Sequence, residues 1–231
     1  MLEQIKKDLL ILKNQERAKI LSRFFKTGNG QYGEGDFFLG VTVPEQRKIS
    51  KKYPDLTIKE MQKLLSDSIH EHRLTALFIL INQYKKTDGA GKIEIFNFYL
   101  KNTKHINSWD LVDASAEKIL GEYLLEKDKS ILHKFTGSDN VWKRRIAIMS
   151  TFHFIKNSKL GDALKISELL LNDKHDLIHK AVGWMLREIG KRDLETEEQF
   201  LKKHYQKMPR TMLRYAIERF DETKRRFYLK K

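Results

Sequence analysis

The chain has 231 residues, enough for one large domain or a short helical repeat protein. Hydrophobic residues make up 40% of it, which can bury a substantial core, and the absence of cysteine excludes disulfides, cysteine-based zinc sites and cysteine nucleophiles. Lys and Arg number 45 against 31 Asp and Glu, so the net charge of +14 favours a polyanionic partner, either nucleic acid or an anionic membrane surface.

The N-terminal residues carry acidic and basic side chains within the first turns and lack the apolar core of a signal peptide. No uninterrupted apolar run reaches membrane-spanning length. We therefore expect a soluble cytoplasmic protein without a membrane partner.

Helical periodicity begins at the N-terminus, where Leu2, Ile5 and Leu9 recur at three- and four-residue spacing, and it continues to Phe25. No convincing run of the alternating pattern of a strand follows. Further helices are predicted at about 44–53, 57–67, 70–86, 91–103, 108–126, 129–136, 140–157, 160–171, 175–191, 194–207 and 209–220.

The stretch Gly28–Asp36 interrupts this helical pattern, and residues 28–33 match the motif G-x-G-x-x-G. A dinucleotide site would need a strand before the motif and a parallel sheet around it, and the sequence indicates neither. A flexible loop between helices is the favoured interpretation, with a backbone contact to phosphate as a weaker alternative.

The long helices repeat along the chain. Arg145, Lys180 and Arg214 each stand beside small or apolar residues and recur 35 and 34 residues apart. A period near 35 with two helices per unit is typical of a helical solenoid, in which neighbouring pairs stack to bury their apolar faces. We predict an all-α, HEAT-like solenoid of antiparallel helix pairs with a concave basic cleft, forming a single domain over residues 1–231.

Each of the three tryptophans shares a helix face with a charged residue three or four positions away. The pairs are Trp109 with Asp113, Trp142 with Arg145, and Trp184 with both Lys180 and Arg187. A lone tryptophan in a helix is usually a core residue, but repeated pairing with charges favours a binding cleft. Cations there would neutralise phosphates, and aromatic rings would pack against bases or sugars.

A carboxylate in such a cleft repels phosphate, so simple binding does not explain Asp113. A carboxylate is useful where positive charge develops on a sugar, as in cleavage of a glycosidic bond. Asp110, by contrast, follows the predicted helix cap Ser108, and we assign it to the structural role of an acidic residue near a helix start.

Three segments resemble signatures of the AlkD-type DNA alkylation repair glycosylases: S-W-D-L-V-D (108–113), S-D-N-V-W-K-R-R (138–145) and K-A-V-G-W-x-L-R-E (180–188). The region from Tyr32 to Arg47 is similar to the N-terminal region of that family. The resemblance spans about residues 15–220.

The resemblance implies excision of purines alkylated at N3 or N7 from double-stranded DNA, with Asp113 as the catalytic carboxylate. Trp109 and Trp184 would pack against the damaged nucleotide, and Arg145 would bind the neighbouring backbone. No catalytic lysine is suggested, so base removal without strand cleavage is expected. Together with Arg145, the residues expected to bind DNA are Arg144, Lys180, Arg187, Arg214 and Trp142.

Two other functions fit parts of the pattern. A non-catalytic HEAT-repeat module that binds nucleic acid explains the charge but leaves Asp113 unexplained. A protein-binding scaffold would need acidic partners. We expect a monomer without an obligate protein partner or a cofactor. We also expect no metal site, since the histidines of His70-Glu-His72 point to different helix faces.

Overall fold

The computed structural model describes residues 1–230, and the regular secondary structure in that range is helical. The predicted all-α fold is therefore confirmed for this range, where an isolated bridge between Phe37 and Ile69 is the single extended pairing. The helices group into two compact units, Met1–Ser115 and the chain from Ala116 onward. The single domain over 1–231 and the concave basic cleft remain predictions.

The first unit contains seven α-helices and a 3₁₀ turn. They are α1 (Leu2–Ile11), α2 (Gln15–Phe24), α3 (Val43–Lys52), α4 (Ile58–Leu65), α5 (His70–Lys86), α6 (Gly89–Lys101), the 3₁₀ turn Thr103–His105, and α7 (Trp109–Ala116), which reaches the boundary of the unit. Helix α5 is buried along most of its length and packs against α3 and α4, so it forms the centre of this unit.

Threonine caps set the starts of α3 and α4. The Thr42 side chain accepts a hydrogen bond from the backbone N–H of Glu45, and the Glu45 carboxylate accepts one from the backbone N–H of Thr42, which forms a capping box. Thr57 and Glu60 form the same arrangement. Asn14 caps α2 in a simpler way, by accepting from the backbone of Arg17. This cap divides the helical run predicted from Leu2 to Phe25 into two helices.

The connection between α2 and α3 is held by a buried carboxylate. Glu71, in the first turn of α5, accepts hydrogen bonds from the backbone nitrogens of Leu39 (2.9 Å), Gly40 (2.8 Å) and Val41 (3.3 Å). Gly40 has a φ of +83°, and a Cβ at this position would lie 2.2 Å from the carbonyl oxygen of Asn14. The segment that follows the predicted flexible loop Gly28–Asp36 is therefore held against α5 and α2.

The second unit opens with a π-helical turn, Glu117–Gly121. The following elements are α8 (Glu122–Leu124), α9 (Ser130–Thr136), α10 (Val141–Lys156), α11 (Gly161–Leu169), α12 (Asp176–Gly190), α13 (Leu194–His204), α14 (Arg210–Ala216), the 3₁₀ turn Ile217–Arg219, and α15 (Glu222–Leu229). The sequence did not indicate α15.

The repeat predicted from the sequence corresponds to real packing in this unit. Helix α10 packs against α12, and α12 packs against α14, while α11 and α13 pack against the helices that they follow, α10 and α12. The shared faces are apolar and include Ile146 and Ala147 of α10 and Met185 and Leu186 of α12, all of which are fully buried or nearly so. Repeated helix pairs therefore bury one continuous core within the second unit. Among residues 1–230, no helix combines the length and the apolar character needed to cross a membrane.

Candidate functional site

Trp109 begins α7 and is half-buried against aromatic residues at the end of α2. Its ring stacks on Phe25 with a centroid distance of 5.2 Å and an interplanar angle of 9°. The exposed ring of Phe24 meets it edge-on at 5.9 Å. Because packed aromatic pairs prefer such stacked and edge-on arrangements, Phe24 and Phe25 fix the orientation of the Trp109 ring.

Asp113 lies one turn after Trp109 on α7 and is also half-buried. The helix places the two side chains on one face, as the sequence predicts. Burial raises the pKa of the neighbouring Tyr99 phenol, a hydrogen bond with Ser115 opposes this, and the negative charge of Asp113 adds to the rise. The carboxylate is therefore close enough to the buried Tyr99–Ser115 pair, 2.9 Å apart, to act on it electrostatically.

A buried ionic chain lies behind Trp109. The His70 ring places Nδ1 2.9 Å from Asp36 Oδ2 and Nε2 2.8 Å from Asp110 Oδ2, and Arg73 donates from Nη2 to Asp36 Oδ1 at 2.6 Å. Burial of the ring lowers the pKa of His70, but the charge of Asp110 and hydrogen bonds to both carboxylates raise it to about 9. We therefore describe His70 as a cation between two carboxylates.

The ion pairs of His70 correct two expectations about the start of α7. Asp110 pairs with His70 instead of acting only on the helix dipole. The hydroxyl of Ser108 is buried and has no hydrogen-bond partner among residues 1–230, so it does not cap the helix. The sequence offered His70 only as a possible metal ligand. Nothing in the sequence links it to Asp36 and Asp110, which are 34 and 40 positions away.

Trp184 lies in the middle of α12 and is half-buried. Its Nε1 donates to Glu188 Oε1 at 3.2 Å, and its ring lies 5.9 Å from that of Phe152 on α10. Glu188 is itself buried and also accepts from Lys191 at 2.6 Å. The indole is thus oriented through its nitrogen.

Arg145 of α10 is buried, and its Nη1 donates to the carbonyl oxygen of Leu177 in the first turn of α12 at 2.5 Å. We assign this guanidinium first to holding α10 and α12 together, and its contact with DNA stays a prediction. Lys180 pairs with Asp176 one turn earlier at 2.7 Å.

Two further residues predicted to bind DNA differ in their exposure. Arg187 forms an ion pair with Glu218 and is largely covered. Arg214 is exposed on α14, and no ion pair involves it among residues 1–230. The guanidinium of Arg214 is therefore accessible to solvent, and its contact with a phosphate stays a prediction.

Two residues predicted to bind DNA are structural. The Arg144 side chain donates to both oxygens of the buried carboxylate of Asp173, in the connection between α11 and α12. It also donates to the carbonyl oxygens of Ser138 and Asp139 in the loop before α10, so it joins the two connections. Trp142 is 6% exposed, which places its ring in the core and away from any ligand that stacks on an aromatic face. Asp113 and Trp109 belong to the first unit and the remaining predicted residues to the second.

The chain belongs to the family of DNA alkylation repair enzymes, whose model matches residues 5–220. This match includes every residue that the sequence predicts at the site. No curated protein sequence matches the chain.

Solved structures support the same fold. A structure described as "Predicted DNA alkylation repair enzyme from Enterococcus faecalis" is similar with a TM-score of 0.72 and 19% identity, covering 91% of this chain and 97% of its own. The smu.31 protein from Streptococcus mutans UA159 is similar with a TM-score of 0.57 and 16% identity, covering 89% of this chain and all of its own. At these identities the similarity establishes the fold alone.

Proposed function

We propose that this member of the DNA alkylation repair family is a monofunctional DNA glycosylase that removes cationic N3- or N7-alkylated purines from double-stranded DNA. It hydrolyses the N-glycosidic bond, leaves the strand intact and acts as a monomer. The observation that carries the proposal is the placement of Asp113 one helical turn from Trp109, whose ring is fixed by Phe24 and Phe25. That is a carboxylate beside an oriented aromatic face.

The chemistry follows from the charge of the lesion. Alkylation at N3 or N7 gives the purine a formal positive charge, so the base leaves without help from a general acid. The bond between C1′ and N9 breaks, its electron pair neutralises the purine, and positive charge develops on the deoxyribose. A water oxygen then bonds to C1′ and its proton passes to the carboxylate and on to solvent.

Asp113 is the group suited to that step, because a carboxylate stabilises the developing cation and orients the attacking water. Trp109 offers the negative face of its ring to the same charge. A contact of Trp184 with the damaged nucleotide stays a prediction. By analogy with the removal of one preorganised hydrogen bond at other active sites, the carboxylate contributes about 3–4 kcal/mol to the transition state. Unmodified purines lack the charge and leave far more slowly, which provides selectivity.

Phosphate binding is assigned to Lys180, Arg187 and Arg214. Their side chains combine positive charge with positions on α12 and α14, and the net charge of +14 supports a polyanionic partner. Lys180 and Arg187 are paired with carboxylates, so phosphates would replace Asp176 and Glu218 as their partners.

A base-release assay on methylated double-stranded DNA tests the proposal. The wild-type protein is expected to release the alkylated purine and to leave the strand uncut until alkali is added. Asp113→Asn is expected to lower the single-turnover rate about 100-fold or more while DNA affinity stays the same or rises.

Asp55→Asn is the matched control, since it makes the same change at an exposed carboxylate of the same unit and is expected to leave the rate unaltered. An unchanged rate in Asp113→Asn would remove Asp113 from the mechanism. Tight binding of methylated DNA by the wild-type protein without any base release would instead favour the non-catalytic module.

A further inference from the structure

His70 is the first residue of α5 and is 2% exposed, yet both of its ring nitrogens face carboxylates. An ionised carboxylate only accepts hydrogen bonds, so the contacts at 2.9 Å to Asp36 and 2.8 Å to Asp110 are both satisfied only when both nitrogens carry protons. The imidazolium form is therefore the one that fits this position.

The His70 ring also belongs to the aromatic cluster that reaches Trp109. It stacks on Phe38 at 4.6 Å and lies 5.0 Å from the ring of Phe25. Phe25 in turn stacks on Trp109. His70 consequently contacts the surroundings of Trp109 twice, through the Asp110 carboxylate next to it on α7 and through the Phe25 ring under the indole.

We propose that protonated His70 is a positioning residue that fixes Trp109 and the first turn of α7 for base excision. The inference rests on the glycosylase function proposed above. A neutral imidazole has one N–H, so loss of the proton would leave one of the two carboxylates facing a nitrogen lone pair and would remove the positive charge from both. The largely buried Asp110 would then lack a compensating charge, and the start of α7 would shift to solvate it. The Trp109 ring, packed on the same cluster, would move with it.

The geometry makes this positioning sensitive to pH. The charged groups that face His70 are Asp36 from the loop before α3, Asp110 from α7 and Arg73 from its own helix. The two carboxylates outweigh both burial and the Arg73 charge, which places deprotonation of His70 near pH 9. Trp109 is thus held in place at neutral pH and released in alkaline solution.

The test follows the Trp109 indole N–H by nuclear magnetic resonance from pH 6.5 to 10, with the signal assigned by its loss in Trp109→Phe. In the wild-type protein it is expected to shift with a midpoint near 9. The single-turnover rate of base release, corrected for spontaneous loss in enzyme-free reactions, is expected to fall with the same midpoint, while DNA affinity at constant ionic strength changes little.

Asp110→Asn keeps a hydrogen-bond acceptor for His70 Nε2 and removes the charge that raises its pKa. Both midpoints are expected to move down together by at least about one pH unit, since an opposite charge at this distance typically shifts a pKa by about one to three units. Asp55→Asn removes a distant charge in the same unit and should leave both midpoints where they are.

An indole signal that does not change between pH 7 and 10 in the wild-type protein overturns the positioning role. So does a midpoint that stays in place in Asp110→Asn. These results are distinct from failure of the glycosylase proposal, which is an absence of base release at neutral pH and leaves the resonance titration readable.

Discussion

Asp110 and Asp113 stand three residues apart on α7 and have different surroundings. Asp110 is bound to the buried His70 cation, whereas Asp113 is one turn from Trp109 on the face that the indole shares. A carboxylate in a buried ion pair stabilises the fold, because removing it leaves the charge of its partner uncompensated. This difference assigns the two acids to different tasks although they lie in one helical turn.

Glu197 of α13 is a second acidic residue with a buried carboxyl group. It is 2% exposed, its Oε1 has no hydrogen-bond partner among residues 1–230, and its other oxygen lies against Gly190. Burial raises the pKa of Glu197 to about 8, with a further rise from Glu198 and a decrease from Arg187. The carboxyl group is therefore neutral in the folded protein at neutral pH.

Because the unfolded chain loses this proton near pH 4.5 and the folded one near 8, the free energy of unfolding falls as pH rises through that interval. Glu197→Gln does not titrate, so we expect it to be more stable than the wild-type protein at pH 9, by on the order of a few kcal/mol, and similar at pH 4.5. Urea unfolding at both pH values measures the difference. Glu195→Gln, at an exposed position of the same helix, should follow the wild-type curve; a variant at 197 that also follows it would place an ionised carboxylate in the core.

Arg144 and Arg214 allow a direct test of which predicted cations are structural. Arg144→Ala leaves the carboxylate of Asp173, 4% exposed, without its partner, so we expect a loss of about 3–5 kcal/mol of stability. Arg214→Ala removes an exposed side chain and should change stability by less than about 0.5 kcal/mol. Chemical denaturation measures both, and equal stability of the two variants would contradict the structural role of Arg144.

At the scale of elements, the helices of the second unit approach each other at glycine. A Cβ on Gly183 of α12 would lie 2.4 Å from the carbonyl oxygen of Met212 and 2.5 Å from the Cβ of Tyr215, and one on Gly121 would lie 2.4 Å from the carbonyl oxygen of Ser150. Backbone atoms cannot turn away as a flexible side chain can. The two contacts therefore set the spacing of helices that pack in the repeat.

Gly183→Ala is expected to destabilise the protein by about 1–3 kcal/mol, because the added methyl group forces α12 and α14 apart despite the better helix propensity of alanine. Gly161→Ala is the control, since a Cβ at this first position of α11 meets no atom within 4 Å. Thermal or urea unfolding of the pair is decisive: if both variants gain stability, the helices are not in close contact at Gly183.

The sequence predicts elements well where local signals coincide. Helix α5 has the bounds predicted at 70–86, and the repeat of α10, α12 and α14 follows from cations 35 and 34 residues apart. A π-helical turn at Glu117–Gly121 lies within the helix predicted to run from 108 to 126, and its Gly121 lies against the backbone of α10. A contact of this kind has no local signature in the sequence. For the same reason, the sequence does not predict the contacts of His70 with Asp36 and Asp110, which join three segments that are distant in sequence.

The site was predicted only as far as helix geometry reaches. The i, i+4 relation of Trp109 and Asp113 follows from one helix and is present in α7. Whether a tryptophan or arginine faces outward depends on the neighbours of its helix, and here Trp142 and Arg144 face inward to the core and to Asp173. Residue type and spacing predict a chemistry, and packing decides which of the predicted residues are accessible for it.

At the scale of the whole molecule, the excess of positive charge predicts strong dependence of DNA binding on salt. Each phosphate that a lysine or arginine neutralises releases counterions, so the logarithm of the binding constant falls with the logarithm of salt concentration by about 0.9 per contact. If Lys180, Arg187 and Arg214 each meet one phosphate, undamaged duplex DNA should bind with a slope of about −3 or steeper.

Arg214→Ala is expected to reduce that slope by about one unit and to weaken binding to all sequences alike. Lys165→Ala is the matched control, since this exposed lysine lies on α11, outside the helices that carry the proposed phosphate contacts. Fluorescence anisotropy between 50 and 300 mM salt, concentrations on the order of those used for such slopes, measures both variants. Equal reductions by the two substitutions would mean that the net charge of +14 attracts DNA without a defined set of contacts. A reduction confined to Arg214 would instead locate the phosphates along the repeated helices of the second unit.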